Sequence, residues 1–287
     1  MIREYHAPAT VEEAVALKGR LGNSAVFLAG GTEVNSTAFP FAPEHVISLQ
    51  RLPLADIRAT ETELVIGAGC TIQQVIDSAD VPEIIKAAGR HIFNRNIRNV
   101  ATIGGQLGSN RSCSNLLPIL VALEAVVDVG HGGPTLQSVA DLAGPGATRA
   151  IPALQYIEEE RKELITQVRI SSSALARRAA VERYSRTAND LSILTAAVSL
   201  TRDGEAVVSP VIAAGGVAKH VIRLEAVEQA LHGKPLPRRE AIERLVAGHV
   251  SPITDIRGTA EFKRHLAGVL VAKALLRAYR QVGEQRQ

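Results

Sequence analysis

Two glycine pairs carry the chemistry that this sequence offers most plainly. The first stands in Ala29-Gly30-Gly31-Thr32-Glu33, the second in Thr102-Ile103-Gly104-Gly105-Gln106. Without a Cβ, glycine backbone takes positive φ and comes close to a ligand, aiming successive amides at one anion. The hydroxyls of Thr32 and Thr102 add donors suited to phosphate oxygens. Two such loops, well separated in the chain, could clasp both phosphates of a dinucleotide. Taken alone, either pair reads more readily as a tight turn at a strand end. Neither has the Gly-Lys-Ser/Thr of a P-loop or the G-x-G-x-x-G of a Rossmann turn.

Other catalytic templates are missing. There is no G-x-S-x-G elbow, no H-E-x-x-H and no C-x-x-C. The histidines at 6, 45, 91, 131, 220, 232, 249 and 265 are scattered along the chain and read as surface or capping residues. The acids, Asp128 and Asp141 among them, form no obvious pair. Two cysteines, Cys70 and Cys113, are too few for a four-thiolate iron–sulfur site and read as small packing residues. The sequence therefore assigns no catalytic or metal-binding side chain. A dinucleotide clasp without an acid/base constellation points to a cofactor that does the chemistry.

The elements that must position these loops follow from pattern and punctuation. Thr10-Val11-Glu12-Glu13 reads as a capping box opening a helix with Val11, Ala14, Val15 and Leu17 on one face, stopped at Gly22. Residues 25 to 29 form a short apolar run that delivers the chain, as a buried strand, into the first glycine pair. Further strands are expected at 45–50 and 63–68, with one or two helices in 72–90. Asn99 to Ile103 is a second apolar entry into a glycine pair, followed by a helix begun near Pro118. Residues 125–129 and 135–139 read as strand, turn, strand around Gly130 to Pro134. Residues 163–170 alternate like a half-exposed strand. A hairpin follows, 191–200 and 206–213 around Asp203-Gly204. Helices are expected near 223–232 and 256–280, the latter with Phe262, Leu266, Val269, Leu270 and the stem of Lys273 at helical spacing. A domain boundary is placed near 172, at Ser171-Ser172-Ser173, giving domains 1–172 and 173–287.

At 287 residues, 46% hydrophobic and 21% charged, the chain is an ordinary globular one with room for two domains. A formal net charge of only +3, without a dense Lys/Arg run, argues against a nucleic-acid surface. No stretch suits a membrane span, and Met1-Ile2-Arg3-Glu4-Tyr5 lacks the features of a secretory signal, so a cytoplasmic location is expected.

These motifs carry a resemblance. Ala29-Gly30-Gly31-Thr32-Glu33-Val34 and Thr102-Ile103-Gly104-Gly105-Gln106 look like the two FAD loops of the medium subunits of the xanthine dehydrogenase and carbon monoxide dehydrogenase family, the molybdenum hydroxylases. The likeness extends through Ile97-Arg98-Asn99-Val100-Ala101, Leu116 to Ala125, Glu163-Leu164-Ile165-Thr166 and Gly215-Gly216-Val217-Ala218 with Arg223 and Glu228. It ends at Asp255-Ile256-Arg257-Gly258. It is greatest to bacterial stand-alone flavin subunits associated with purine hydroxylases or a presumed selenate reductase. The resemblance implies an α+β chain: a two-subdomain, vanillyl-alcohol-oxidase-like FAD-binding fold, then a C-terminal domain with a small antiparallel sheet and helices. It implies an oxidoreductase subunit that takes electrons from [2Fe–2S] clusters and passes them through FAD to NAD⁺ or another acceptor. Its implied partners are a molybdopterin-binding large subunit and a small subunit with two [2Fe–2S] clusters.

By position in the family pattern, Leu28, Ala29, Gly30, Gly31, Thr32, Glu33 and Val34, with Thr102, Gly104, Gly105 and Gln106, would wrap the pyrophosphate and ribityl chain. Ile92 falls beside the adenine, Leu164 and Ile165 beside the isoalloxazine, and Arg183 where a family Lys/Arg approaches the flavin. Asn115 stands where many relatives carry Asp, and Gln106 replaces a commoner Asn or Ser. Those two departures motivate an alternative, a flavin-free scaffold or interaction subunit of such a complex. Phe27, Phe93 and Tyr184, the few candidates for an aromatic lid, read more readily as core.

Overall fold

Thr10 starts the first helix as expected: its hydroxyl accepts the Glu13 amide at 3.2 Å. The Glu13 carboxylate reaches one residue beyond the box and accepts the Ala9 amide at 2.8 Å. The helix, Val11–Leu21, ends at Gly22, whose φ is 54°. The computed structural model describes residues 2–36, 42–130 and 148–281. The expected strand at 135–139, with the turn beyond Gly130, lies outside the described residues.

The chain forms two compact units that do not follow chain order. One comprises Met1–Val81, Asn94–Ser109 and Val126–Ile170; the other Pro82–Phe93, Asn110–Ala125 and Ser171–Gln287.

In the first unit, strands β1 (Glu4–His6), β2 (Ala25–Leu28) and β3 (His45–Ser48) form a parallel sheet in the order β1-β3-β2. The Val11–Leu21 helix lies against it, and Val11, Ala14, Ala25, Ile47, Leu52, Leu54 and Leu164 make a common core. Strands β4 (Ile57–Ala59), β5 (Glu63–Gly67), β6 (Val126–Gly130), β7 (Thr148–Pro152) and β8 (Ile165–Ser171) form a second sheet, ordered β4-β5-β8-β6-β7. Strand β8 is its middle strand and is buried on both faces, which corrects the half-exposed strand expected from alternation. Its polar positions are paired inside. Arg169 forks onto Asp128 (2.7 and 3.0 Å), Gln167 donates to Asp128 at 2.7 Å, and Arg169 also donates to Glu63 at 3.1 Å.

The second unit is built on an antiparallel sheet of β9 (Arg178–Tyr184), β10 (Leu194–Asp203), β11 (Ala206–Gly215), β12 (Ile222–Arg223) and β13 (Lys234–Pro235). The order is β12-β11-β10-β9, with β13 also on β11. The β10–β11 hairpin is the one expected around Asp203-Gly204. Ala196, Val198 and Leu200 share a core with the long helix Ala260–Arg280. Thr195, Ala197 and Ser199 alternate with them onto the other face, where Ser199 donates to the Ala122 carbonyl at 2.5 Å. That carbonyl ends the helix Leu117–Ala122, which has Pro118 in its first turn.

Several elements escaped the sequence reading, among them β1, β4, β7, β9 and the helices Ala153–Glu158 and Arg239–Ala247. The face assigned to the last helix also needs correction. Phe262 is exposed, and Lys273 points outward to Glu182, Nζ to Oε2 2.7 Å. Leu266 and Leu270 are buried as expected, in a stripe completed by Ala267, Val271, Ala274, Leu275 and Ala278. Alanines do much of this packing, and a search for large apolar residues passes over them.

Candidate functional site

The two glycine loops are brought together in the first unit. Strand β2 ends at Leu28, and the chain turns through 32–35, with the Asn35 amide on the Gly31 carbonyl at 3.0 Å. Gly31 has φ 71°, a conformation that L side chains rarely adopt. Gly30 lies directly on the second loop: a Cβ there would fall 1.6 Å from the Val100 carbonyl oxygen. The amides of Gly30, Gly31 and Thr32 meet no acceptor among the described residues. Open amides, at exposed Gly30 and at half-buried Gly31 and Thr32, form a cradle for an anion.

The second loop is different from the expected one. Its glycine pair does not follow a strand; it forms the first turn of the helix Ile103–Ser109. Thr102, 7% exposed, caps that turn by accepting the Gly105 amide at 3.0 Å. The Gly104 amide bonds the Ala68 carbonyl at 2.9 Å, the Ile103 amide the Cys70 carbonyl, and the Gln106 amide the Thr102 carbonyl. A Cβ on Gly104 would lie 2.7 Å from that of Ala68. These amides are internally committed, so the second loop buttresses the first, while the hydroxyl proton of Thr102 stays available as a donor.

Other expected site residues are placed as follows. Leu164 is buried in the core beneath the parallel sheet and Ile165 is buried at the start of β8. Glu33 and Val34 lie half-buried in the turn after Gly31. Cys70 is buried, and that burial pushes its thiol to about 11, so it is protonated at neutral pH and packs as a small apolar group.

Ile92, Asn115 and Arg183 belong to the second unit. Ile92 is buried at the end of the segment 82–93. Its neighbour His91 lines a cleft of about 260 Å³ together with Asn115, Arg183, Thr195, Glu182 and Arg277. Asn115 is 6% exposed and uses both ends of its amide. Its Nδ2 donates to the His91 carbonyl at 2.9 Å; its Oδ1 accepts from Ser192 and, at 3.4 Å, from Thr195. A carboxylate could not donate to His91, so the amide at 115 is what this environment demands. Arg183 donates to the Ala188 and Asp190 carbonyls (3.2 and 3.1 Å) and to Ser185, which ties it to the loop after β9. Partial desolvation, then the charges of Arg183 and Arg90, holds the His91 imidazole below its ordinary pKa. Phe93 and Tyr184 are exposed, 42% and 44%, which overturns their reading as core. Tyr184 stacks edge-on against Phe262.

A three-residue cluster was missed. Glu4, His6 and His45 bring one ligand atom each to a common point. Scattered histidines gave no signal; only the pairing of β1 with β3 joins them.

Residues 1–173 match the FAD-binding domain of molybdopterin dehydrogenases, and residues 179–278 match the C-terminal domain of carbon monoxide dehydrogenase flavoproteins. The first 173 residues are thus an FAD-binding domain of an oxidoreductase subunit. The chain belongs to the family of FAD-binding medium subunits of molybdenum hydroxylases. It is 34% identical to YgfM of Escherichia coli strain K12, over 99% of each chain. It is 31% identical to the carbon monoxide dehydrogenase medium chain of Hydrogenophaga pseudoflava, over 96% of each. A solved carbon monoxide dehydrogenase from that organism, lacking the Mo-pyranopterin moiety, matches with a TM-score of 0.83, covering 97% of this chain and 98% of that one.

Proposed function

We propose that this chain takes electrons from [2Fe–2S] clusters of a small partner subunit and passes them through FAD to NAD⁺ or another acceptor. A molybdopterin-binding large subunit oxidises the substrate. The observation that carries the reading is the cradle at Gly30, Gly31 and Thr32, with open amides, positive φ at Gly31 and a backbone buttress at Val100. When bound, FAD supplies a redox centre able to join one-electron donors to a two-electron acceptor. Leu28 to Val34 would hold the diphosphate, with Thr102 as an added donor. Ile92, Gly104, Gly105, Gln106, Asn115, Leu164, Ile165 and Arg183 are assigned to cofactor binding by their places in the family pattern. The functional boundary is placed near 172, supported by the extents of the two family matches. A reducing cytoplasm suits two buried free thiols, Cys70 and Cys113, and no described helix is long and apolar enough to cross a membrane.

No observation favours the flavin-free scaffold, since Asn115 is accounted for by its own hydrogen bonds. The test is spectroscopic. The purified chain should show the visible absorption of a flavin and release FAD on denaturation. In the assembled complex, substrate should bleach the cluster bands first and then the flavin band. Flavin reduction while the clusters stay oxidised would sink the proposed route.

A further inference from the structure

We propose that Glu4, His6 and His45 form a binding site for a divalent transition-metal ion of the zinc class, clipping the N-terminal strand to its neighbour. The site is independent of the flavin cradle.

The sheet builds it. Glu4 and His6 are two apart on β1, so the pleat sets both side chains on one face. The parallel register puts His45 of β3 beside Glu4, on that same face. Arg3, the nearest cation in the chain, alternates to the opposite face and is paired there with Glu44 at 3.1 Å. Nothing of positive charge in β1 therefore competes for the point where the three groups meet.

The distances favour a metal over hydrogen bonds. His6 Nε2 lies 3.3 Å from His45 Nδ1, and Glu4 Oε2 lies 3.5 Å from each of those nitrogens. Charge-assisted hydrogen bonds between such groups close to about 2.7–2.9 Å. Tetrahedral zinc with ligand bonds of about 2.0–2.1 Å has ligand atoms about 3.3–3.4 Å apart. The triangle of 3.3, 3.5 and 3.5 Å is thus close to one face of such a tetrahedron. Two imidazoles and one carboxylate are also a ligand set that zinc takes, with the fourth position left for water. Both imidazoles are half-buried, which limits their motion, and Glu4 faces solvent, which leaves an entry path. Strand β1 has three residues at a sheet edge, so a cross-strand ion would fix an element that backbone pairing alone holds weakly.

The experiment uses the full chain stripped with EDTA and passed free of chelator, then titrated with Zn²⁺ against a chromophoric competitor, with Co²⁺ as a spectroscopic stand-in. The expected result is one ion per chain, with four-coordinate Co²⁺ bands in the visible. His6→Ala, His45→Gln and Glu4→Gln should each weaken binding at least tenfold. Zn²⁺ should raise the melting temperature of the wild type and not of His45→Gln. The variants should keep the wild-type flavin content and metal-free melting curve, which separates loss of ligands from loss of fold; if one variant unfolds, the other two decide. Absence of a stoichiometric ion in the wild type, or wild-type affinity in both the His6 and the His45 variants, would overturn the proposal.

Discussion

Gly30 and the Val100 carbonyl are in backbone-to-backbone contact, so close that a Cβ on residue 30 would fall 1.6 Å from the oxygen. This contact, rather than any shared motif, joins the two glycine loops. It leaves Gly30 no room for a side chain, and the amides of residues 30 to 32 meet no acceptor among the described residues.

Gly30→Ala should therefore separate the loops and lower FAD affinity by tenfold or more, because the obstructing atom is backbone and cannot rotate away. Gly31→Val forces a branched residue to a φ of 71° and carries a strain of about 1–3 kcal/mol. Gly108→Ala, in the adjoining helix with nothing within 4 Å, should bind FAD normally. Flavin content, and the rise in melting temperature on adding FAD, read all three. Normal FAD affinity in Gly30→Ala would remove the clasp from the account.

Asn115→Asp introduces the residue that the family resemblance leads one to expect here, yet it should destabilise this chain. The new carboxylate would face the His91 carbonyl at about the present 2.9 Å with no proton to share. A buried polar group left unsatisfied costs about 1–3 kcal/mol. Urea unfolding at neutral pH measures it, and a variant as stable as the wild type would contradict the role given to the amide.

The sequence made the first loop legible because a short apolar run, a glycine pair and a threonine follow in order, and each signal is local. The second loop was found but misread. Its pair sits in a helical turn that Thr102 caps locally, and its partner, Ala68, meets Gly104 only through tertiary packing. Strand β8 looked half-exposed because Gln167 and Arg169 are polar, but they answer Asp128 on β6. The Glu4, His6 and His45 cluster was illegible for the same reason: register between strands is not written in either strand alone.

Asp128 is the hub of that buried network, accepting from Arg169 twice and from Gln167. Its pairing raises the Arg169 pKa, so the arginine stays charged at every accessible pH. Asp128→Ala should cost about 1–3 kcal/mol, because buried Gln167 loses its acceptor and part-exposed Arg169 keeps only Glu63. The double variant Asp128→Ala/Arg169→Met should recover part of that loss, and a double-mutant cycle in urea tests it. Equal losses in the single and double variants would mean that the charge is not what is stranded.

His91 predicts an acid sensitivity. Desolvation first, then Arg183 and Arg90, lowers its folded pKa below the unfolded value near 6.5. Between those two values the unfolded chain binds more protons than the folded one, so stability rises with pH in that window. The contribution is complete above the unfolded value and is lost as pH falls through the folded one. His91→Gln cannot be protonated and should lose less stability than the wild type between neutral and mildly acidic pH. Every other titrating group is shared by the two proteins, so the difference between their urea midpoints, followed across that range, isolates the imidazole. Parallel curves would show that His91 is protonated as readily in the fold as outside it, and that the cleft does not hold it neutral.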